Sequence, residues 1–298
     1  MAQPRLCLLA VHAHPDDEAS KGAGTVARYH AEGIHTVLVT CTGGEAGDIL
    51  NPAMDLPEVK ADLPAVRMRE LAEATRIIGY DEVVLLGYRD SGMPETEPNA
   101  HPDAFANADL DEAVGRLVAI IRRERPQVIV TYGDDQKGYP HPDHLRVHDI
   151  SIPAFEKAGD PDAYPEAGEP WQPLKLYYSV WSRRRIEAMH KRFLELGLES
   201  PFNDDWFKRP SQEERITTFV DTTGYGHVRG EALLAHATQI DPKSPFWFGL
   251  PPDEVAKLND QEEYIRARSL VEAPTPESDL FAGVREGAEP EAQQWSRS

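Results

Sequence analysis

Cysteine is scarce in this sequence, and its scarcity excludes two classes of protein. The 298 residues include two cysteines, Cys7 and Cys41, and these form no Cys-x-x-Cys motif. A disulfide-stapled secreted scaffold or a four-thiolate zinc site needs more thiols than this. Both cysteines lie in apolar, strand-like segments, so we expect them to be buried and reduced.

Basic residues are also few relative to acidic ones. Lysine and arginine number 31 against 51 aspartates and glutamates, which gives a formal net charge of −20. Surfaces that bind nucleic acid or anionic membranes depend on an excess of lysine and arginine. We therefore expect neither nucleic acid nor a membrane as a partner.

The sequence also lacks long apolar runs. No segment approaches the roughly 18 apolar residues of a membrane-spanning helix. The first apolar stretch ends at His12 and lacks the basic flank and small-residue cleavage site of a secretory signal. We expect a cytoplasmic protein.

Apolar runs instead alternate with amphipathic segments through the first half of the chain. The pattern predicts strands at 6–12, 35–41, 82–88 and 127–133, and helices at 18–32, 65–79 and 110–126. Strands that are almost continuously Val, Ile and Leu are typical of a parallel sheet covered by helices. Residues 1–165 are thus predicted to form an α/β domain with a Rossmann-like, mostly parallel sheet and helices on both faces.

The regular alternation of predicted strands and helices ends at about residue 160. A Pro- and Gly-bearing stretch is followed by predicted strands at 174–181 and 216–222 and predicted helices at 184–197, 229–240 and 253–270. Since the β-α rhythm is lost, residues 166–284 are expected to be a smaller C-terminal α+β addition that contributes to the substrate pocket. Residues 285–298 are expected to be a disordered tail.

Two clusters of His and Asp stand directly after predicted strands. "HAHPDDE" (12–18) follows strand 6–12, and "YPHPDH" (139–144) follows strand 127–133. In open parallel sheets ligands bind beyond the carboxyl ends of the strands, so the two clusters can meet there. Catalytic zinc takes three protein ligands from His and carboxylate groups and leaves one position for water. The pair of clusters therefore predicts a mononuclear metal site.

Spacing alone leaves the choice of ligands open. Asp16 and Asp17 are neighbours at a helix start, so their side chains diverge by roughly 100°. One of them can bind the metal while the other faces a metal-bound water as a base. His and Asp ligands serve both zinc and ferrous iron, which leaves the metal open too. The candidate ligands are His12, His14, Asp16, Asp17, Glu18, His141, Asp143, His144 and His148.

The two motifs closely resemble those of the PIG-L/LmbE-like metal-dependent deacetylases. Further blocks in the same order over residues 5–285 are similar to the mycothiol S-conjugate amidase branch: "TCTGGEAGDILNPAMDLP", "YRDSGMP", "AGEPWQPLKLYY", "HATQIDP" and "ESDLFAG". This resemblance implies a hydrolase that cleaves the amide between glucosamine and an S-substituted N-acetylcysteine, with one Zn²⁺ (or Fe²⁺) per chain. The alternative is the deacetylase branch, which acts on acetylglucosaminyl-inositol. The oligomeric state stays open.

The resemblance also implies a role for each matching residue. The metal ligands would be His14, Asp17 and His144, and Asp16 would be the general base. The remaining catalytic roles would fall to three residues of the second motif: His141 as oxyanion stabiliser and proton donor, Tyr139 as donor to the tetrahedral intermediate, and Asp143 as the orienting partner of His141.

Four further residues match substrate-binding positions of the family. Lys21 would reach the acyl part, Arg67 the sugar-inositol, and Asp90 the sugar hydroxyls, while Gln239 would reach the site mouth. Each also has a structural alternative, such as a solvated lysine, an Arg67–Glu70 ion pair or a turn-forming aspartate. The chain departs from the family at Lys137, where a glycine is usual, and this puts the flexibility of that loop in doubt.

Two other classes of protein fit less well. A dinucleotide-binding module would carry GxGxxG after the first strand, where this chain has "HAHPDDE". A non-enzymatic metal sensor would keep the ligands but would not need Asp16, Tyr139 or His141. The roles of His12 and Glu18 stay open between orienting a ligand and packing the strand end. His148 is expected to orient a ligand or to pack its helix rather than to bind the metal itself.

Overall fold

The computed structural model describes residues 5–136 and 138–285; Lys137 and the predicted tail beyond Arg285 lie outside the described residues. The strands are β1 Cys7–His12, β2 His35–Thr42, β3 Glu82–Tyr88, β4 Val128–Tyr132, β5 Lys175–Val180, β6 Thr218–Asp221 and β7 Gln261–Ser269. The helices are α1 Asp17–Ser20, α2 Ala23–Ala31, α3 Pro57–Ala61, α4 Leu63–Ile78, α5 Leu110–Glu124, α6 Pro142–Lys157, α7 Arg183–Glu195, α8 Asp204–Lys208, α9 Val228–Ala235, α10 Pro245–Phe248 and α11 Pro252–Leu258.

The seven strands form one sheet in the order β3-β2-β1-β4-β5-β7-β6. The first five pair in parallel, and β7 pairs antiparallel with β5 and with β6. The prediction of a Rossmann-like, mostly parallel sheet is thus confirmed. The chain moves outward from β1 to β3 and then returns to the other side of β1 with β4. The strand order therefore reverses between β1 and β4, where α/β sheets bind their ligands.

Helices cover both faces of the sheet, as predicted. Successive side chains of a strand point to opposite faces, so β1 contributes to two apolar layers. Leu9 packs in one layer with Leu117 of α5 and Val147 of α6. Leu8 packs in the other with Ile78 of α4. Burial on both faces explains why the central strands carry few polar residues before their carboxyl ends.

The second part of the chain extends the same sheet. Strands β5, β7 and β6 lie beside β4, and a small apolar cluster of Met189, Phe193, Phe202 and Leu250 sits beyond them. Because the sheet runs on through both parts of the chain, a division at 165/166 stays a prediction.

The prediction of a helix over 253–270 is wrong for the second half of that range. Helix α11 ends at Leu258, and Gln261–Ser269 forms strand β7 between β5 and β6. The segment is rich in Glu, Arg and Ala, which favour helices, but pairing on both sides overrides that preference. Its carboxylates are used as local partners: Glu262 Oε2 accepts from Thr25 N at 2.9 Å at the start of α2.

The predicted helix at 18–32 is interrupted between α1 and α2. Gly22 adopts a left-handed φ of 87°, which ends the first turn and restarts the helix at Ala23. The predicted helix at 229–240 is shorter than expected, since α9 ends at Ala235 and a loop begins at His236.

The two cysteines agree with the expectation of buried, reduced thiols. Cys7 and Cys41 are free and buried, and burial, aided by Glu124, raises the pKa of the Cys7 thiol to about 12. Within residues 5–136 and 138–285, no helix combines the length and apolar character that crossing a bilayer would require.

Candidate metal centre

The two predicted clusters converge at the carboxyl ends of β1 and β4. The ring centroids of His14 and His144 lie 5.4 Å apart. Asp17 Oδ2 lies 3.3 Å from His144 Nε2 and 3.5 Å from His14 Nδ1. The three residues can offer ligand atoms that all lie within 4.8 Å of one another. Two imidazoles and one carboxylate facing a common point are a donor set that fits a catalytic zinc or iron site.

Asp143 fixes how His14 faces this point. Its Oδ2 lies 3.1 Å from His14 Nε2, and the same carboxylate accepts from both the backbone N–H and the hydroxyl of Ser91. A proton held on His14 Nε2 by Asp143 leaves the Nδ1 lone pair free for a metal. A carboxylate behind a ligating histidine is the usual device that sets its tautomer and orientation.

The role of Asp143 as the partner of His141 stays a prediction, and the contact between the two residues is made by the Asp143 backbone. The carboxylate is engaged by His14 and Ser91, and Asp143 reaches His141 through its backbone N–H, 3.2 Å from His141 Nδ1. His141 is the N-cap of α6, so its imidazole accepts from this backbone N–H while the side chain of Asp143 turns toward His14. Nδ1 is thus an acceptor, and the proton of a neutral His141 sits on Nε2.

The pKa values of His14 and His141 are shifted in opposite directions. Burial opposes protonation of His14, but Asp143, Asp17 and Asp90 outweigh it and raise its pKa well above the usual value. For His141, burial and the neighbouring imidazoles of His14 and His144 lower the pKa to about 4. Three carboxylates around one imidazole form a strongly cation-attracting pocket.

The side chains of Asp16 and Asp17 point in different directions, as expected for neighbours at a helix start. Asp17 faces the two histidines, whereas Asp16 Oδ2 lies 3.5 Å from Arg67 Nη2. Burial and the adjacent Asp17 raise the pKa of Asp16 to about 6, against the lowering effect of Arg67. Asp16 has a positive φ of 112°, a conformation that costs a non-glycine residue about 1–3 kcal/mol. Strain of this kind persists only where surrounding contacts enforce it.

Glu18 and His236 supply those contacts, and the sequence did not reveal His236. Glu18 Oε2 accepts from Asp16 N at 2.9 Å, and Glu18 Oε1 lies 2.6 Å from His236 Nε2. Burial opposes charge on both groups, but their attraction outweighs it, lowering the pKa of Glu18 and raising that of His236. Both directions favour an ion pair. The one signal for His236 was the quoted block "HATQIDP", in which only Gln239 was singled out.

Tyr132, at the end of β4, was also missed as a site residue. Its ring stacks on His144 with centroids 4.6 Å apart, and its hydroxyl accepts from Ala13 N at 3.2 Å. His12 packs edge-on against this tyrosine. His148 Nδ1 lies 3.2 Å from the carbonyl oxygen of Tyr132, which places it on the strand side of α6.

Tyr139 lies at the open rim of the site. Its side chain is 55% exposed, and its ring centroid is 5.3 Å from that of His144 and 6.0 Å from that of His141. Burial of its hydroxyl end and the charge of Asp17 raise its pKa, so the phenol stays a hydrogen-bond donor.

Lys21 bonds directly to the candidate ligand Asp17. Its Nζ lies 2.6 Å from Asp17 Oδ1 and 5.3 Å from the centroid of the Tyr132 ring. The bond holds the outer oxygen of Asp17, so that Oδ2 faces the two histidines. Lys21 is therefore not the freely solvated lysine of the structural alternative.

Arg67 and Glu70 do not pair with each other as the structural alternative proposed. Arg67 donates to the carbonyl oxygens of Gly44 and Pro15, which ties the loop after β2 to the first motif. Gly44 has a φ of 71°, and a Cβ there would collide with the guanidinium of Arg67. Glu70 instead accepts from the backbone N–H and hydroxyl of Thr238, at 2.8 and 2.6 Å.

Gln239 and Asp90 complete the wall on the β2–β3 side. Gln239 Nε2 donates to Asp48 O at 3.0 Å. Asp90 is 3% exposed and accepts from Gly92 N and Ala46 N. Burial acts against its charge, but the contact with His14 outweighs it and lowers the pKa of Asp90. Arg67, Asp90 and Gln239 thus lie on one side of the metal centre.

A separate cluster of His35, Glu82 and Glu124 also has metal-like spacing. It lies at the opposite edge of the sheet, where β2 and β3 begin. Arg123 donates to both glutamates, so their charge already has a partner. This cluster is a network of ion pairs remote from the candidate centre.

Comparison with known proteins decides the family. Residues 9–155 match the family model described as PIG-L, GlcNAc-PI de-N-acetylase. The chain is 48% identical over 294 residues, 95% of its length and 99% of the relative, to a protein named mycothiol S-conjugate amidase from Streptomyces coelicolor. This chain belongs to the PIG-L family. Family membership indicates a hydrolase of the deacetylase or amidase class.

Other PIG-L relatives carry a different name. A 1D-myo-inositol 2-acetamido-2-deoxy-alpha-D-glucopyranoside deacetylase from Streptomyces avermitilis is 41% identical, over 93% of this chain and 97% of the relative. Among solved structures, N,N'-diacetylchitobiose deacetylase from Pyrococcus horikoshii superposes with a TM-score of 0.56 at 18% identity, covering 80% of this chain and 72% of that one. That superposition confirms the PIG-L fold.

Proposed function

We propose that this chain is a metal-dependent amidase that hydrolyses the amide between glucosamine and an S-substituted N-acetylcysteine in mycothiol S-conjugates. The products would be a mercapturic acid and glucosaminyl-inositol, the outcome of a thiol-dependent detoxification. The observation that carries the hydrolytic part is the convergence of His14, Asp17 and His144 beside Asp16. The relative named as the amidase, at 48% identity over 95% of the chain, supports the choice of amide.

The metal, Zn²⁺ or Fe²⁺ and one per chain, would be held by His14 Nδ1, Asp17 Oδ2 and His144 Nε2. When bound there, such a metal polarises the amide carbonyl and lowers the pKa of water toward 7. Asp143 would keep the proton of His14 on Nε2, and Lys21 would hold the other oxygen of Asp17.

Asp16 would act as the general base. It is next in sequence to the proposed ligand Asp17, yet its carboxylate does not face His14 and His144. It would therefore not bind the metal and could take a proton from the attacking water. A base with a pKa of about 6 is ionised at neutral pH and still accepts a proton effectively. Glu18 holds the backbone of Asp16 in the strained conformation that aims the carboxylate.

His141 and Tyr139 would stabilise the developing oxyanion. With His141 Nδ1 occupied by the backbone N–H of Asp143, the Nε2–H is the group that faces a substrate. As a neutral ring, His141 can donate a hydrogen bond to the oxyanion, and the proton for the departing nitrogen would be the one that Asp16 takes from the attacking water. Tyr139 is a phenol donor at the rim, where a tetrahedral intermediate would project.

The substrate would lie across the centre with its two ends in opposite directions. Arg67, Asp90 and Gln239 line the β2–β3 side, and we assign the glucosaminyl-inositol to that side. Lys21 lies toward β5 and would face the acyl part. Asp90 and Arg67 make several contacts within the protein, so their part includes shaping the loops that hold the sugar.

The second candidate is the deacetylase of acetylglucosaminyl-inositol. It is favoured by the relatives of that name, which are 38–42% identical to this chain. The test is kcat/KM of metal-reconstituted protein for a mycothiol S-conjugate and for acetylglucosaminyl-inositol. We expect the conjugate to be the better substrate, and preference for the acetylated sugar would overturn the amidase proposal. Asp16→Ala should abolish either turnover while leaving the metal bound, whereas a metal sensor would keep its function.

A further inference from the structure

Three aromatic residues form a stacked column beside the candidate centre. The rings of Trp181 and Phe246 stack with an interplanar angle of 4° and centroids 5.8 Å apart, and those of Phe246 and Trp206 stack at 30° and 5.7 Å. We call Trp181, Phe246 and Trp206 the aromatic column. Its residues come from the end of β5, from α10 and from α8, so they are far apart in the sequence.

One end of the aromatic column contacts the end of α1 directly, and the other end approaches the second motif through Arg209. Trp181 Nε1 donates to the carbonyl oxygen of Ser20, the residue before Lys21, at 3.4 Å. At the other end the Arg209 guanidinium lies 3.9 Å from the centroid of Trp206, and a Cβ on Gly138 would lie 3.7 Å from Arg209 Nη1. Gly138 precedes Tyr139. The column therefore runs along the rim between the first and the second motif.

The rings of the column are contacted on their faces and, by Phe202 and Trp247, at their edges, but each ring keeps an exposed part. Trp206 is contacted over its face by Arg209 and stacks on Phe246, while Trp181 is contacted over its face by Arg229 with 4.5 Å to the centroid. The three rings remain partly exposed. What they offer a ligand is consequently a partly exposed aromatic strip, and a thioether sulfur makes favourable contacts with aromatic rings.

The strand order gives the column its place relative to the substrate. Asp90 follows β3 and the Gly44 loop follows β2, on one side of the β1–β4 junction, whereas Trp181 follows β5 on the other. A trans amide directs its nitrogen substituent and its acyl substituent to opposite sides. With the sugar on the β2–β3 side, the acyl side chain extends toward the aromatic column.

We propose that the aromatic column is the subsite for the thioether and the apolar S-substituent of the conjugate. This inference rests on the proposed function, because it takes the acyl group to be an S-substituted cysteine. The column would let the enzyme accept different aryl or alkyl groups, since apolar contacts impose little directional selection.

The test compares two conjugates that differ only on sulfur, one carrying benzyl and one carrying methyl. For each protein the readout is the ratio of kcat/KM for the benzyl conjugate to kcat/KM for the methyl conjugate. Trp206→Ala should lower this ratio about tenfold, the scale of one lost apolar contact in a pocket. Trp206→Leu, which keeps apolar volume, is the second variant if the alanine variant unfolds, and thermal unfolding checks both.

Trp171→Ala is the matched control. Trp171 also contacts an arginine over its face, Arg125, but its Nε1 donates to Pro126 O at the opposite edge of the sheet. The control should keep the wild-type ratio. A Trp206→Ala ratio within twofold of wild type, or an equal fall in the control, would overturn the subsite. An unchanged ratio with equal losses on both conjugates would mean that the column holds the sugar and would also overturn it.

The two failures are distinguishable. If wild-type protein hydrolyses acetylglucosaminyl-inositol but neither conjugate, the proposed function fails and the column has no S-substituent to bind. If wild-type protein hydrolyses both conjugates and the ratio does not respond to Trp206→Ala, the amidase stands and the subsite fails.

Discussion

His236 Nε2 lies 2.6 Å from Glu18 Oε1, and both side chains are fully buried. This contact joins residues 218 positions apart and connects the loop after α9 to the first metal motif. The other oxygen of Glu18 accepts from the backbone N–H of Asp16. A buried ion pair thus fixes the backbone of the proposed general base, which adopts a strained positive φ.

Glu18→Gln should lower kcat and leave metal content unchanged. The amide has no negative charge to hold His236, so the backbone of Asp16 is expected to relax away from its strained conformation. Loss of such a supporting partner typically costs about 10–100-fold in activity. Steady-state kinetics together with metal analysis of the same samples check this. A variant that loses metal in proportion to activity would show that Glu18 supports the ligands rather than Asp16.

Asp143→Asn should weaken metal binding by about 10–100-fold, because His14 loses the carboxylate that sets its tautomer. Competition of the protein with a chromophoric chelator for Zn²⁺ measures the affinity. Asp149→Asn, an exposed position on the same helix α6, is the control and should bind as wild type does. Equal affinity of wild type and Asp143→Asn would contradict the tautomer argument.

Glu70→Ala should lower the free energy of unfolding by about 1–3 kcal/mol, the cost of leaving a buried donor without a partner. Glu70 accepts two hydrogen bonds from Thr238 and is 7% exposed. Glu73→Ala, at an exposed position of the same helix α4, should lower the free energy of unfolding much less. Urea unfolding measures both, and equal losses would contradict a special role of the Glu70–Thr238 contact.

Asp279 should make stability depend on pH in the acid range. Burial acts against its charge, but bonds from Arg285, Phe281 N and Tyr29 outweigh it and lower the pKa below the ordinary value of 3.8. A lowered pKa stabilises the fold above the unfolded-state pKa, and this stabilisation is lost as pH falls through the folded-state pKa. The difference in unfolding free energy between wild type and Asp279→Asn should therefore be constant at neutral pH and shrink below about pH 4.

The matched control for that series is Asp253→Asn, at an exposed residue of α11. Its unfolding free energy should follow the wild-type curve. A difference for Asp279→Asn that stays constant down to the lowest pH measured would contradict the proposed stabilisation.

Much of the fold and of the metal site followed from local patterns. Continuous apolar runs predicted the parallel strands, and the two His and Asp clusters after β1 and β4 predicted that these parts of the chain converge. Those signals are local because each strand end carries its own polar cluster. The choice of His14, Asp17 and His144 among the candidates came from the family resemblance. The divergence of Asp16 from Asp17 followed from helix geometry alone.

The contacts that the sequence could not predict are long-range. Nothing near Glu18 indicates His236, and nothing near Glu70 indicates Thr238, since both partners come from a loop more than 160 residues away. The strand Gln261–Ser269 was taken for a helix because its Glu, Arg and Ala residues favour one, whereas pairing with β5 and β6 decides its conformation. The sequence could not predict that the backbone of Asp143 contacts His141 while its side chain contacts His14.

The most direct test of the account is a crystal structure of the Zn²⁺-loaded protein with anomalous scattering recorded at the zinc edge. The account predicts one strong peak about 2.0–2.2 Å from His14 Nδ1, Asp17 Oδ2 and His144 Nε2, with His14 Nε2 still bonded to Asp143. A peak bound instead by His141, Asp143 and His14 Nε2, or no peak between the two motifs, would contradict it.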